Sequence, residues 1–172
     1  MKRYLVTMAG VVCLCSILQA QTTNPMSTEV KRAYTGIKNN LVAMAEKMPE
    51  DQYGFRPTPE IRTFGQLMAH IADSQTRTCS AVNGEPKSGD AASKTSKEDL
   101  VAALKASFAL CDTAYDSLTD ADATTMIKVG RGERTKLGAL VGNTTHDNEE
   151  YGYGAVYLRL KGIIPPSSER RR

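Results

Sequence analysis

Thr63-Phe64-Gly65-Gln66-Leu67-Met68-Ala69-His70-Ile71-Ala72-Asp73 is the stretch on which the fold turns. Thr63 is a capping residue, and Phe64, Leu67, Met68, Ile71 and Ala72 recur at the spacing of one helical face. The stripe predicts a helix from Phe64 to about Val82, stopped by Asn83-Gly84-Glu85-Pro86. It carries His70, one of two histidines in the 172 residues.

Working outward, the same periodicity recurs on both sides. Ser27 or Thr28 can cap a first helix through Val30, Ala33, Tyr34, Ile37, Leu41, Met44 and Met48, ended by Pro49. Residues 49–62, with Pro49, Gly54, Pro57 and Pro59, read as a loop. Residues 86–95 are rich in Lys, Ser, Gly, Asp and Ala and read as a mobile surface linker. Ser96 followed by Asp99 resembles a capping box for a third helix, with Leu100, Leu104, Phe108, Cys111 and Tyr115, ending near Leu118. Residues 119–134 form a polar connection in which Thr125–Val129 is strand-like, read as an extended loop. Thr135 can cap a fourth helix through Leu137, Leu140, Val141, His146, Tyr153 and Leu160, broken by Gly162 and Pro165. Four helices without convincing strand pairs give an all-α four-helix bundle. With no Trp and three Phe, its core must come from Leu, Met, Val, Ile, Ala and Tyr. Met44, Met48 and Met68 suit gap-filling there.

The N-terminus has a different character. Met-Lys-Arg precedes a mainly apolar run from Tyr4 to Leu18, then Gln19-Ala20-Gln21, the pattern of a cleaved secretory signal. Cys13 and Cys15 follow Val12 and Leu14, not the small residues of a lipoprotein site. The division is therefore a signal peptide at 1–20, a flexible leader at 21–27, the bundle at 28–166 and a basic tail at 167–172. The expected location is periplasmic or secreted, with no membrane attachment after cleavage. Without Lys2 and Arg3, 20 Lys and Arg face 19 Asp and Glu, a net charge of +1. A nearly neutral body with Arg170-Arg171-Arg172 at its end offers nothing for nucleic acid.

Two cysteines remain after cleavage, Cys79 and Cys111. An oxidising compartment favours a disulfide between them. Two separately buried thiols are the alternative, and the close Cys-x-x-Cys of a redox site is absent.

Chemistry can come from His70 and His146. Glu150 follows His146 by four residues, so both lie on one helical face. If the second helix packs alongside, His70 completes a set of two imidazoles and a carboxylate able to hold zinc, iron(II), manganese or nickel with positions left open. The plainer alternative is two core-edge histidines beside a solvated acidic face of Asp147, Glu149 and Glu150. Glu149 is a spare carboxylate for base chemistry, and Tyr153 a core-edge tyrosine or a partner to a ligand. Gly130-Arg131-Gly132-Glu133-Arg134, before a helix start, lacks phosphate-loop spacing and reads as a flexible turn. No Gly-x-Ser-x-Gly elbow occurs.

Phe64–Asp73 resembles the histidine helix of the DinB superfamily. His146-Asp147-Asn148-Glu149-Glu150-Tyr151-Gly152, continuing to Tyr157-Leu158-Arg159-Leu160-Lys161-Gly162-Ile163-Ile164-Pro165-Pro166, resembles its last helix and C-terminal signature. The resemblance spans most of residues 28–168. It implies a four-helix bundle in which three histidines hold a divalent metal, and activities that include thiol-dependent S-transfer and isomerisation. It places ligands at His70 and His146, and its third histidine falls where this chain has Glu150. The expectation is an exported metal-dependent enzyme, thiol S-transferase-like, acting on an unknown small molecule. The alternative is a non-catalytic bundle that binds a small molecule or partner around a degenerate metal site. The resemblance also suggests a homodimer.

Overall fold

The computed structural model describes residues 23–169. The expected signal peptide at 1–20, residues 21 and 22 of the expected leader and the last three arginines lie outside the described residues. Four helices form the body: α1 (Pro25–Lys47), α2 (Phe64–Val82), α3 (Lys97–Ser117) and α4 (Lys136–Leu160). Three of the expected caps are formed locally. Thr63 Oγ1 accepts from the Gln66 amide while Gln66 Oε1 accepts from the Thr63 amide, a reciprocal capping box at α2. Ser96 Oγ accepts from the Asp99 amide at α3, and Thr135 Oγ1 from the Gly138 amide at α4.

The start of α1 differs from expectation. Neither Ser27 nor Thr28 caps it; the helix begins at Pro25, and Ser27 is buried. Asp120, on the connection after α3, takes over the role. Its carboxylate accepts from the Met26 amide at 3.1 Å, the Ser27 amide at 2.8 Å and Ser27 Oγ at 2.9 Å. A charge nearly one hundred residues away thus converts part of the leader into a helical first turn, where an anion is favoured.

α1 packs on α3 and α4, and α2 packs on α3 and α4, so α1 and α2 sit diagonally across the bundle. Leu41, Met44, Phe64, Met68, Ile71, Leu104 and Leu140 are wholly buried between them. Gly154 of α4 lets α1 approach closely: a Cβ there would stand 2.5 Å from Met44 Sδ. Cys79 and Cys111 form a disulfide joining α2 to α3, Cα–Cα 5.0 Å. Closing a loop across 32 residues stabilises by about 3–4 kcal/mol in the chain-entropy model.

Two connections are more ordered than their composition suggests. Residues 86–95 are not a free linker, because Asp73 of α2 accepts from the Ala91 and Ala92 amides and Ala91 is buried. Gly89 is required there, since a Cβ would lie 2.1 Å from Asp73 Oδ1. Residues 126–135 form an antiparallel hairpin, β1 (Met126–Val129) and β2 (Gly132–Thr135), pairing Met126 with Thr135 and Val129 with Gly132. Gly130 turns it with φ 60° while Arg131 keeps a negative φ, the arrangement that matches strand twist. The expected extended loop and flexible turn are the two arms and tip of this hairpin. Among the described residues no helix is long and apolar enough to cross a membrane.

The largest difference concerns α4. Val141, Tyr153 and Leu160, expected on its buried stripe, are exposed. The buried face instead runs through Leu140, Asn143, Asp147, Glu150, Tyr151 and Leu158. A carboxylate and an amide occupy core positions, so apolar spacing alone points to the wrong side of the helix.

Candidate metal centre

α2 and α4 pack side by side, and this brings the two histidines together. His70 lies mid-way along α2, fixed in rotation by Leu67, Met68 and Ile71 beneath it. His146 and Glu150 lie one turn apart on α4. His70 Nε2 is 3.1 Å from His146 Nε2 and 3.4 Å from Glu150 Oε1, and His146 Nε2 is 3.5 Å from Glu150 Oε1. The three donor atoms thus close a small triangle, with Glu150 buried and both imidazoles half-buried.

This geometry suits a shared divalent ion. Donors about 2.0–2.1 Å from one ion stand roughly 2.8–3.0 Å apart at octahedral angles and roughly 3.3–3.4 Å apart at tetrahedral ones. The observed separations match, and one imidazole-rich face with a carboxylate accommodates zinc, nickel, iron(II) and manganese alike. Glu150 Oε2 and His146 Nδ1 are buried without hydrogen-bond partners in the protein. Of the two, Glu150 Oε2 belongs to the carboxylate of the triangle, where an unpartnered anionic oxygen suits a bound cation.

The electrostatics divide the ligands. Burial pulls His70 below the ordinary imidazole range, helped by the charges of Arg62, His146 and Arg77. Asp147 pushes His146 upward; its Oδ1 lies 3.7 Å from Nδ1, an ion-pair distance too long for a hydrogen bond. Burial raises Glu150, against the opposing pull of His146 and Arg62.

Asp147 is the residue that sequence reading missed. In the sequence it reads as part of a solvated acidic face, yet its side chain is wholly buried and burial raises its pKa to about 6. Asn143 Nδ2 donates to its Oδ2 at 3.3 Å and also reaches Tyr115 Oη, which donates to the Leu140 carbonyl. The signal was present: Asp147 falls on the register of Leu140, Tyr151 and Leu158. Glu149 and Tyr153, by contrast, are exposed; Tyr153 Oη donates to Glu149 Oε1 on the outer surface, and Glu149 takes no part in the triangle.

The DinB superfamily model matches residues 33–153. The chain belongs to the DinB superfamily. Solved structures agree in fold with this DinB protein. A DinB-like protein from Bacillus cereus is 18% identical with TM-score 0.67, covering 81% of this chain and 95% of its own. A DinB-like protein from Bacillus subtilis is 18% identical with TM-score 0.65, covering 84% and 99%. A conserved protein from Enterococcus faecalis is 20% identical with TM-score 0.59, covering 79% and 94%. No curated protein matches the chain.

Proposed function

We propose that this DinB protein is an exported, divalent-metal-dependent enzyme whose ligands are His70, His146 and Glu150. The observation that carries the reading is the convergence of three donor atoms from two helices onto one point. A bound ion supplies Lewis-acid chemistry there, polarising a substrate oxygen or lowering the pKa of a water or thiol. The chain's own residues do the positioning. The apolar underside of α2 fixes where His70 stands, and Glu150 contributes one oxygen to the triangle. Asp147, held by Asn143, places a carboxylate at ion-pair distance from the far nitrogen of His146. The side of the triangle away from the core faces a cleft of about 600 Å³, large enough for a small substrate. Thiol S-transfer is the reaction class we favour, because three protein ligands leave room for a thiol. Export is supported by the N-terminal signal pattern and by the Cys79–Cys111 disulfide.

One observation favours a second reading, a binding bundle with a degenerate metal site. His70 Nε2 and His146 Nε2, at 3.1 Å, are also at hydrogen-bond distance, so a neutral pair can satisfy itself. Metal analysis of the chain from residue 21 separates the two. The enzyme reading expects one tightly held ion per chain, lost in His70→Ala. No ion in the native chain, but binding regained in Glu150→His, would establish the second.

A further inference from the structure

The cleft outside the triangle is lined by Arg62 from the turn before α2, Arg77 from α2 and Arg134 from β2. Among the described residues none of these guanidinium groups forms an ion pair with a carboxylate. Arg77 has a single side-chain partner, Ser74 Oγ at 3.3 Å. Among the described residues the one carboxylate in the lining is Glu150, which belongs to the triangle. Three cations therefore face one acid, and a bound divalent ion makes the excess larger.

Arg134 is placed by a specific feature of α4. A Cβ at Gly142 would stand 2.9 Å from Arg134 Nη1. The helix surface one turn before His146 thus lacks the side chain that would push the guanidinium away. The same hairpin that looked like a flexible turn in the sequence delivers this group.

A second groove of about 740 Å³ adjoins the cleft and shares Arg62 and Glu150 with it. Its character is more apolar, for Ile61, Leu67, Val156 and Tyr157 line it with the carboxylate of Glu60 beside them, and Ile61 and Val156 are exposed at 41% and 50%. The metal triangle sits where the cationic cleft and the apolar groove meet.

We infer that the protein takes an amphiphilic organic anion, its carboxylate or phosphate head held by Arg77 and Arg134 and its apolar body laid along the groove beyond Arg62. Guanidinium forks match the paired oxygens of either head group. The inference rests on the metal-enzyme reading for its role in a reaction, but the binding it describes uses residues outside the ligand set.

Calorimetry on the chain from residue 21 tests it, run once after removal of metal by chelation and once loaded with zinc. The probes are octanoate, n-octyl phosphate, octanol and acetate. Either octyl anion is expected to bind at least tenfold more tightly than octanol and than acetate, and the tighter of the two identifies the head group. The double variant Arg77→Gln/Arg134→Gln is expected to weaken it tenfold or more with an unchanged melting temperature, since both side chains are exposed. Octanol binding as well as octanoate, or anion binding that survives the double variant, would overturn the inference. Binding seen only with zinc and indifferent to the arginines would also overturn it, placing the head group on the ion. Failure of zinc to bind would remove the metal reading alone, because the metal-free titration still reads the arginine site.

Discussion

α2 and α4 are neighbouring helices of the same bundle, each with a histidine at the shared site, yet they are built on opposite plans. The buried face of α2 around His70 is Leu67, Met68, Ile71 and Ala72, an apolar stripe that does the packing while the imidazole stands at its edge. The buried face of α4 around His146 is Asn143, Thr144, Asp147 and Glu150, polar groups in the core itself. In α2 hydrophobic burial sets the position of His70. In α4 the packing is given up locally so that a carboxylate and its supports can reach the site. Among the described residues the core buries acids at this one place and nowhere else, the pattern of a functional site rather than of packing.

The comparison breaks most visibly at the ligands. Removing either His70 or His146 as alanine is expected to cut metal affinity by more than about 100-fold, beyond the loss seen for outer supports. Equilibrium dialysis with metal analysis reads this; an unchanged affinity in either variant would mean that the two helices do not share an ion.

Next comes the staple that α2 has and α4 lacks. Reducing the disulfide, or replacing Cys79 and Cys111 by serine, should cost about 3–4 kcal/mol and lower the melting temperature by roughly 10 °C. If metal binding survives at temperatures below the new transition, the α2–α4 contact stands without the α2–α3 link.

The register of α4 can be checked with two leucines two residues apart. Leu158→Ala, wholly buried, should destabilise by about 2–5 kcal/mol, whereas Leu160→Ala, 58% exposed, should stay within about 0.5 kcal/mol. Denaturant unfolding gives both values, and equal losses would contradict the polar-core register.

The smallest expected effect contrasts two acids. Asp73→Ala should cost about 1–3 kcal/mol of stability by freeing the Ala91 and Ala92 amides, with metal affinity unchanged. Asp147→Asn should instead lower metal affinity by about 10-fold while leaving the melting temperature nearly in place. Hydrogen exchange at residues 89–92 and metal titration together distinguish the anchoring acid of α2 from the site acid of α4.

Legibility followed the same division. Thr63, Ser96 and Thr135 could be read as caps because each bonds an amide three residues away, a local event. The stripes of α1, α2 and α3 were legible because apolar residues bury themselves wherever the helix goes. The cap of α1 was not, because its acceptor, Asp120, is remote in sequence. The anchoring of residues 86–95 was not, for the same reason: Asp73 supplies the partner. Glu150 could be placed beside His146 by spacing alone, while Asp147 was misjudged because charge in a sequence normally signals a solvated face.

The amino-acid sequence by itself determined four helices, three of their caps and a His-x-x-x-Glu face, all properties of residues within a turn or two of each other. Only the tertiary structure decided that His70 meets that face, that Asp147 lies inside, and that Arg77 and Arg134 share one cleft. Those outcomes depend on which helices become neighbours and on how each is rotated. Both are set by the summed packing of the whole core, which no local stretch of the chain contains.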